Sequence, residues 1–79
     1  MPTVFRYKGF RFFFYSNEGS PRETVHIHVQ QGGSTAKFWL SPVHAADSYG
    51  FDARTLRELA KVVEENRETI ERAWHEHFG

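Results

Sequence analysis

Hydrophobic and polar positions change period once along the chain, near Asp52. Before it the spacing is that of strands, with β-branched and aromatic residues in short runs divided by Gly, Asn, Ser and Pro. Thr3–Tyr7 and Phe10–Tyr15 form two such runs, and the Lys8-Gly9 pair between them predicts a two-residue hairpin. Ser16–Arg22 gathers Ser, Asn, Gly and Pro and reads as an exposed loop. Thr24–Gln30 alternates cleanly, Val25, Ile27 and Val29 on one side and His26 and His28 on the other, which is the pattern of a half-buried strand. Gln31–Ser34 is a turn, and Thr35–Leu40 returns antiparallel as a fourth strand. Ser41–Gly50 is ambiguous: Pro42 argues against a central strand, whereas Val43–Asp47 suits an edge strand or a helical turn.

Beyond Asp52 the period becomes helical. Asp52 is a good N-cap, and neither Gly nor Pro occurs from Ala53 to Phe78, so the simplest expectation is one helix of about 26 residues and ~39 Å. Leu56, Leu59, Ala60, Val63, Ile70, Ala73, Trp74 and Phe78 make its apolar stripe, interrupted by Asn66. Arg54/Glu58, Lys61/Glu65, Glu68/Arg72 and Arg72/Glu76 stand four apart on a solvated side. The resulting fold class is α+β: an antiparallel sheet of four strands, or five if Val43–Asp47 forms an edge, packed on one long C-terminal helix. The 79 residues suffice for a single domain, spanning 1–79. With Phe10, Phe12 and Phe14 beside Val25, Ile27 and Val29 under the helix, Arg11, Phe13, Tyr15, His26, His28, Lys37 and Trp39 share the opposite face, for which the sequence offers no cover.

Composition narrows the chemistry. Eight Phe, three Tyr and two Trp supply a core, which makes disorder and metal-dependent folding unattractive. The absence of Cys removes disulfide frameworks, thiolate zinc sites and Cys nucleophiles. No apolar run reaches the ~20 residues of a membrane span, and Met1–Gly9 lacks the order of a signal peptide, so a soluble cytoplasmic protein with no membrane partner is expected. Ten basic and ten acidic residues cancel, yet not locally. Residues 1–40 hold five basic and two acidic residues, net +3, and the remainder five basic and eight acidic, net −3.

The strings MPTVFRYKGFRFFFYSNEG, HIHV, AKFWL, ADSYGF and AWHEHFG together resemble the bacterial and archaeal domain of unknown function family DUF 4160, over essentially the whole chain. Members usually carry Pro-Pro directly before the His-x-His; Thr24-Val25 stands there instead. The resemblance implies a partner, because such genes often lie beside another small family in arrangements like toxin-antitoxin pairs. It leaves the activity open.

His26 and His28 are the sharpest local feature, since residues two apart on a strand point to the same side. With a third ligand from His75, Glu76 or His77 they would meet the ligand count of a catalytic divalent-metal site. Alternatively they would act as general base and acid in metal-independent RNA cleavage, Lys37 or Arg11 stabilising the phosphorane. A third use is a pH-sensitive binding surface, and the plainest reading is solvent-facing strand residues. His75 and His77 cannot serve one ion on an intact helix, and HExxH spacing is absent; Trp74 and Phe78 are expected to fasten the helix end to the sheet. Lys37 and Trp39 interleave charge and ring as single-strand binders do, without an RNP or KH signature.

Two functions follow as expectations, and no motif decides whether the chain is an enzyme. The first is a protein-binding component of a toxin-antitoxin-like pair, with Arg11, Tyr15 and Trp39 as binding residues and a small partner encoded nearby. The second is a metal-independent ribonuclease-type toxin with His26, His28 and Lys37 as catalytic residues and RNA as partner. Neither calls for a cofactor or a structural metal, and a homo-oligomer is compatible with both.

Overall fold

The computed structural model describes residues 3–16 and 24–79. Five strands, β1 (Thr3–Tyr7), β2 (Phe10–Phe13), β3 (His26–Gln31), β4 (Ser34–Leu40) and β5 (Val43–Tyr49), precede two helices, α1 (Ala53–Glu65) and α2 (Arg67–Phe78). The strands form one antiparallel meander in the order β1-β2-β3-β4-β5. Both helices pack on one side of the sheet, giving the α+β two-layer arrangement, and Val43–Tyr49 resolves as the edge strand. Beyond Ser16, the expected Ser16–Arg22 loop lies outside the described residues. Among the described residues no helix is long and apolar enough to cross a membrane.

Local chemistry accounts for the connections. Lys8 and Gly9 both have positive φ, 48° and 82°, as a hairpin turn with the right-handed twist of its strands requires. Gly50, at φ 88°, lets the chain leave β5 against Ser34: a Cβ there would lie 2.5 Å from the Ser34 hydroxyl. Asp52 then caps α1, its Oδ1 accepting the Thr55 N–H at 2.8 Å.

The core is the alternation made solid. Phe10, Phe12, Phe14, Ile27, Val29, Ala36, Phe38 and Leu40 come from the sheet, and Leu59, Val62, Val63, Ile70 and Trp74 from the helices. A side chain of this size contributes roughly 1.5–3 kcal/mol when fully buried, so these rows hold the layers together. Phe5 stacks on Phe12, its partner across β1–β2, at 4.4 Å. Trp74 meets Phe14 edge-on at 5.3 Å and Phe78 at 4.4 Å, which fastens the end of α2 to the sheet as its sequence position suggests. Val62, outside the expected stripe, is buried as well.

The expectation of one long helix is corrected: the helix breaks at Asn66. Its side-chain Nδ2 donates to the Val62 carbonyl at 2.8 Å and its backbone N–H is shared between Val62 and Val63, at φ −110° and ψ 17°. A short amide that competes for the turn's carbonyls weakens the ladder where it sits. Arg67 Nη1, donating to the Leu40 carbonyl at 3.0 Å, then pins the new start to the end of β4. Nor, among the described residues, do the four i,i+4 ion pairs close; Glu58 meets Lys8 at 3.9 Å and Glu64 meets Arg67 at 3.5 Å, both exposed.

Candidate functional site

The side of the sheet away from the helices carries the residues picked out by the alternation. Pairing sets Phe13 opposite His28, His28 opposite Lys37, His26 opposite Trp39 and Arg6 opposite Arg11. Residues opposite one another project to the same side, so a row of rings and cations crosses β1 to β4. Arg11 lies over the Phe13 ring at 4.3 Å and donates from Nε to Thr3 Oγ1 at 2.8 Å. Phe13 meets Tyr15 at 5.1 Å and His28 at 5.6 Å, Tyr15 meets His28 edge-on at 4.6 Å, and Lys37 Nζ lies 4.4 Å from the Trp39 ring. All six residues expected on this face besides His26 are therefore there and in contact along it, although Phe13, beneath Arg11, is only 3% exposed.

His26 is the exception, and its expected exposure is corrected. Although it meets His28 at 5.2 Å and Trp39 at 5.4 Å, it also lies 5.0 Å from Trp74 of α2 and is 0% exposed. Its Nδ1 is 2.8 Å from the Thr24 carbonyl. A carbonyl only accepts, so Nδ1 carries the hydrogen, which fixes the tautomer and the ring plane. Trp74 of α2, packed against the ring, covers it. His26 thus supports the site from inside, and of the proposed catalytic group only His28 and Lys37 present surface.

Those two line a hollow of about 200 Å³ with Tyr15, Thr35, Asp47 and Tyr49. Asp47 is paired across the sheet with Lys37, and Tyr49 with Thr35. Tyr49 is 75% and Tyr15 41% exposed, so the hollow has two phenol walls, an imidazole, an ammonium and a carboxylate. Asp47 and Tyr49 were not legible as site residues, because Ser41–Gly50 shows no clean alternation. The register slips between Lys37 and Phe38, making Ala46 an extra residue and placing Asp47 and His44 on the same face although they are three apart.

A second cleft, about 250 Å³, lies between β1 and α2 over Val4, Phe14 and Ala73, with Arg72, Glu76 and His77 on its rim. It holds none of the catalytic or binding residues expected from sequence. His75 and His77 are exposed in the last turn of α2, where the helix dipole favours a cation. Among the described residues no three His, Asp or Glu side chains come together as metal ligands would.

Asp52 has a carboxyl held below its ordinary range, first by the Thr55 backbone N–H and then by the Thr55 hydroxyl. That shift belongs to a helix cap and not to the face described above.

No curated protein and no solved structure matches the chain. A family model does: that of a domain of unknown function, DUF4160, matches residues 9–75. Those residues run from the β1–β2 turn to the last turn of α2, taking in four of the five strands, both helices and the whole ring-and-cation row except its β1 contribution, and the chain belongs to the DUF4160 family.

Proposed function

We propose that the chain is a small protein-binding domain, one component of a toxin-antitoxin-like pair, whose partner covers the open face of the sheet. One observation carries this reading. Arg6 and Arg11 are direct cross-strand partners, so two guanidinium side chains stand side by side on the face away from the helices, a surface suited to an acidic partner. Lys37 extends the basic strip to β4, and Tyr15, His28 and Trp39 add rings of the kind that anchor interfaces. The acidic excess of the helices lies on the other layer, so an acidic partner meets the sheet and not the helices. Arg11, Tyr15 and Trp39 are the binding residues in this account, with the partner a small protein encoded nearby.

Co-expression with the neighbouring gene product, followed by titration calorimetry, tests it. A one-to-one complex is expected, weakened about tenfold or more by Arg11→Glu or Lys37→Glu, since reversing a charge at an electrostatically matched interface costs at least ~1.4 kcal/mol. A complex indifferent to both reversals, or none at micromolar concentration, overturns the reading.

The second reading is a metal-independent ribonuclease-type toxin, favoured by the convergence of His28, Lys37 and Tyr15 in one hollow. His28 would then transfer the proton and Lys37 stabilise the phosphorane, while buried His26 orients His28. Growth arrest on expression, abolished by His28→Ala in a folded variant, is its signature. Equal behaviour of wild type and variant removes it.

A further inference from the structure

The geometry points to a second copy of this chain as the occupant of the β5 edge, paired about a two-fold axis so that one sheet runs through both molecules and the two α1 helices lie side by side. This surface shares Asp47 with the hollow on the open face, but it does not depend on the function proposed for that face.

The strand itself is the first argument. β5 ends the sheet, and six of its seven residues are exposed. Among the described residues its outer backbone groups face no further strand, and although the bulge at Ala46 bends it, the run His44-Ala45-Ala46-Asp47-Ser48 has none of the lysines or internal prolines that guard natural edges. β1, at the opposite edge, differs: it is two residues shorter and carries Arg6 with Lys8 beyond its end. Among the described residues β5 is the unguarded edge. It is also self-complementary. The bulge at Ala46 sets His44 and Asp47 on one face, so antiparallel pairing centred between Ala45 and Ala46 places His44 of each copy across from Asp47 of the other, with alanine against alanine between them.

The helix beside that edge is the second argument, independent of the first. α1 packs over β4 and β5. Its Glu58 flank is turned to the β1–β2 hairpin, where Glu58 accepts from the Tyr7 hydroxyl at 3.0 Å. Ala53, Arg57, Ala60 and Glu64, at i, i+4, i+7 and i+11, form the other flank, with all but half-buried Ala60 exposed. The charge order along α1 runs against the helix dipole, with no acidic residue in the first turn and no basic residue in the last. An antiparallel copy turns that order into complementarity: Arg57 faces Glu64 of the second copy, twice, and the two alanines let the backbones approach. Strands about 4.8 Å apart across the new pair set two helices over the outer strands at roughly the 8–10 Å separation of packed helices.

Sedimentation equilibrium on the full chain at about 100 µM tests the assembly, because a dimer is a mass-action property. A dimer is expected. Arg57→Glu and, at the strand, Ala45→Lys should each raise its dissociation constant about tenfold or more, and the swap Arg57→Glu with Glu64→Arg should restore it to within about threefold. Amide exchange at Ala45–Asp47 should slow as the concentration of unmodified protein rises, a readout that needs no variant. A monomer at that concentration, a dimer unmoved by both single substitutions, a swap that fails to restore a folded dimer, or association broken by Arg11→Glu on the distant β2 part of the open face would each overturn the proposal.

Discussion

Single side chains show how far chemistry depends on surroundings. His26 and His28 have the same side chain and neighbouring positions, yet one is sealed between Trp39 and Trp74 and the other borders the hollow. His26→Ala should therefore leave a cavity and strand the Thr24 carbonyl, costing about 2–4 kcal/mol in urea unfolding. His28→Ala should cost under about 1 kcal/mol, as partly exposed positions do, and act on partner binding instead. Equal losses at both positions would contradict the burial difference. Asp52 gives a second test. Its folded pKa is depressed, so its contribution to stability is present above the unfolded value and is lost as pH falls through the folded one. Asp52→Ala should lower the melting temperature at pH 7, and Asp52→Asn, which can still cap, should retain most of it while flattening the acid limb below about pH 4.

At the scale of elements, turns and breaks carry the specificity. Lys8 sits at φ 48°, a conformation costing a residue with a Cβ roughly 1 kcal/mol, and its ion pair with Glu58 is long and exposed. Lys8→Asn should consequently raise stability by several tenths of a kcal/mol, since Asn is favoured at the first position of this turn. Gly9→Ala should lower it by about 1 kcal/mol or more, from the positive φ and a Cβ 3.3 Å from the Gln31 amide. Thermal melts of the two variants should move in opposite directions. Asn66→Ala removes the amide's bond to Val62 and favours a continuous helix that the packing of Ile70 and Trp74 forbids. A loss of about 0.5–1.5 kcal/mol is expected, and a gain would mean that the break is imposed by contacts alone.

On the scale of the molecule, one core serves two layers, and little stability is held elsewhere. Phe38 is wholly buried beneath the helices, and Phe38→Ala should cost about 3–5 kcal/mol, a large share of what a small domain possesses. Trp39, next in sequence but on the open face, should cost far less when replaced, and chevron or equilibrium unfolding will separate the two. The layers also differ in charge. The strands and their first turn carry Arg6, Lys8, Arg11 and Lys37 against Asp47, while the segment from Asp52 onward has seven acidic and five basic residues. The whole is neutral, so the segregation gives each layer its own charge without making the molecule attractive to polyanions at large.

Periodicity alone determined the four-strand meander, the Lys8-Gly9 hairpin, the cap at Asp52, and the division of β2, β3 and β4 into a core side and an open side. These are local properties: side chains alternate along a strand with period two whatever lies beside it, and turn residues set their own dihedrals. The residues of the open row were legible for the same reason. Tertiary structure decided the rest. β5 lacks alternation because almost all of it is exposed, so only pairing with β4 brought Asp47 and Tyr49 to the hollow. The break at Asn66 has a local trigger, the amide on the Val62 carbonyl, and a tertiary anchor, Arg67 on the Leu40 carbonyl. The contact that seals His26 with Trp74 of α2 joins residues 48 positions apart in the chain. No window of sequence contains that contact, and burial is a property of what packs against a residue rather than of the residue itself.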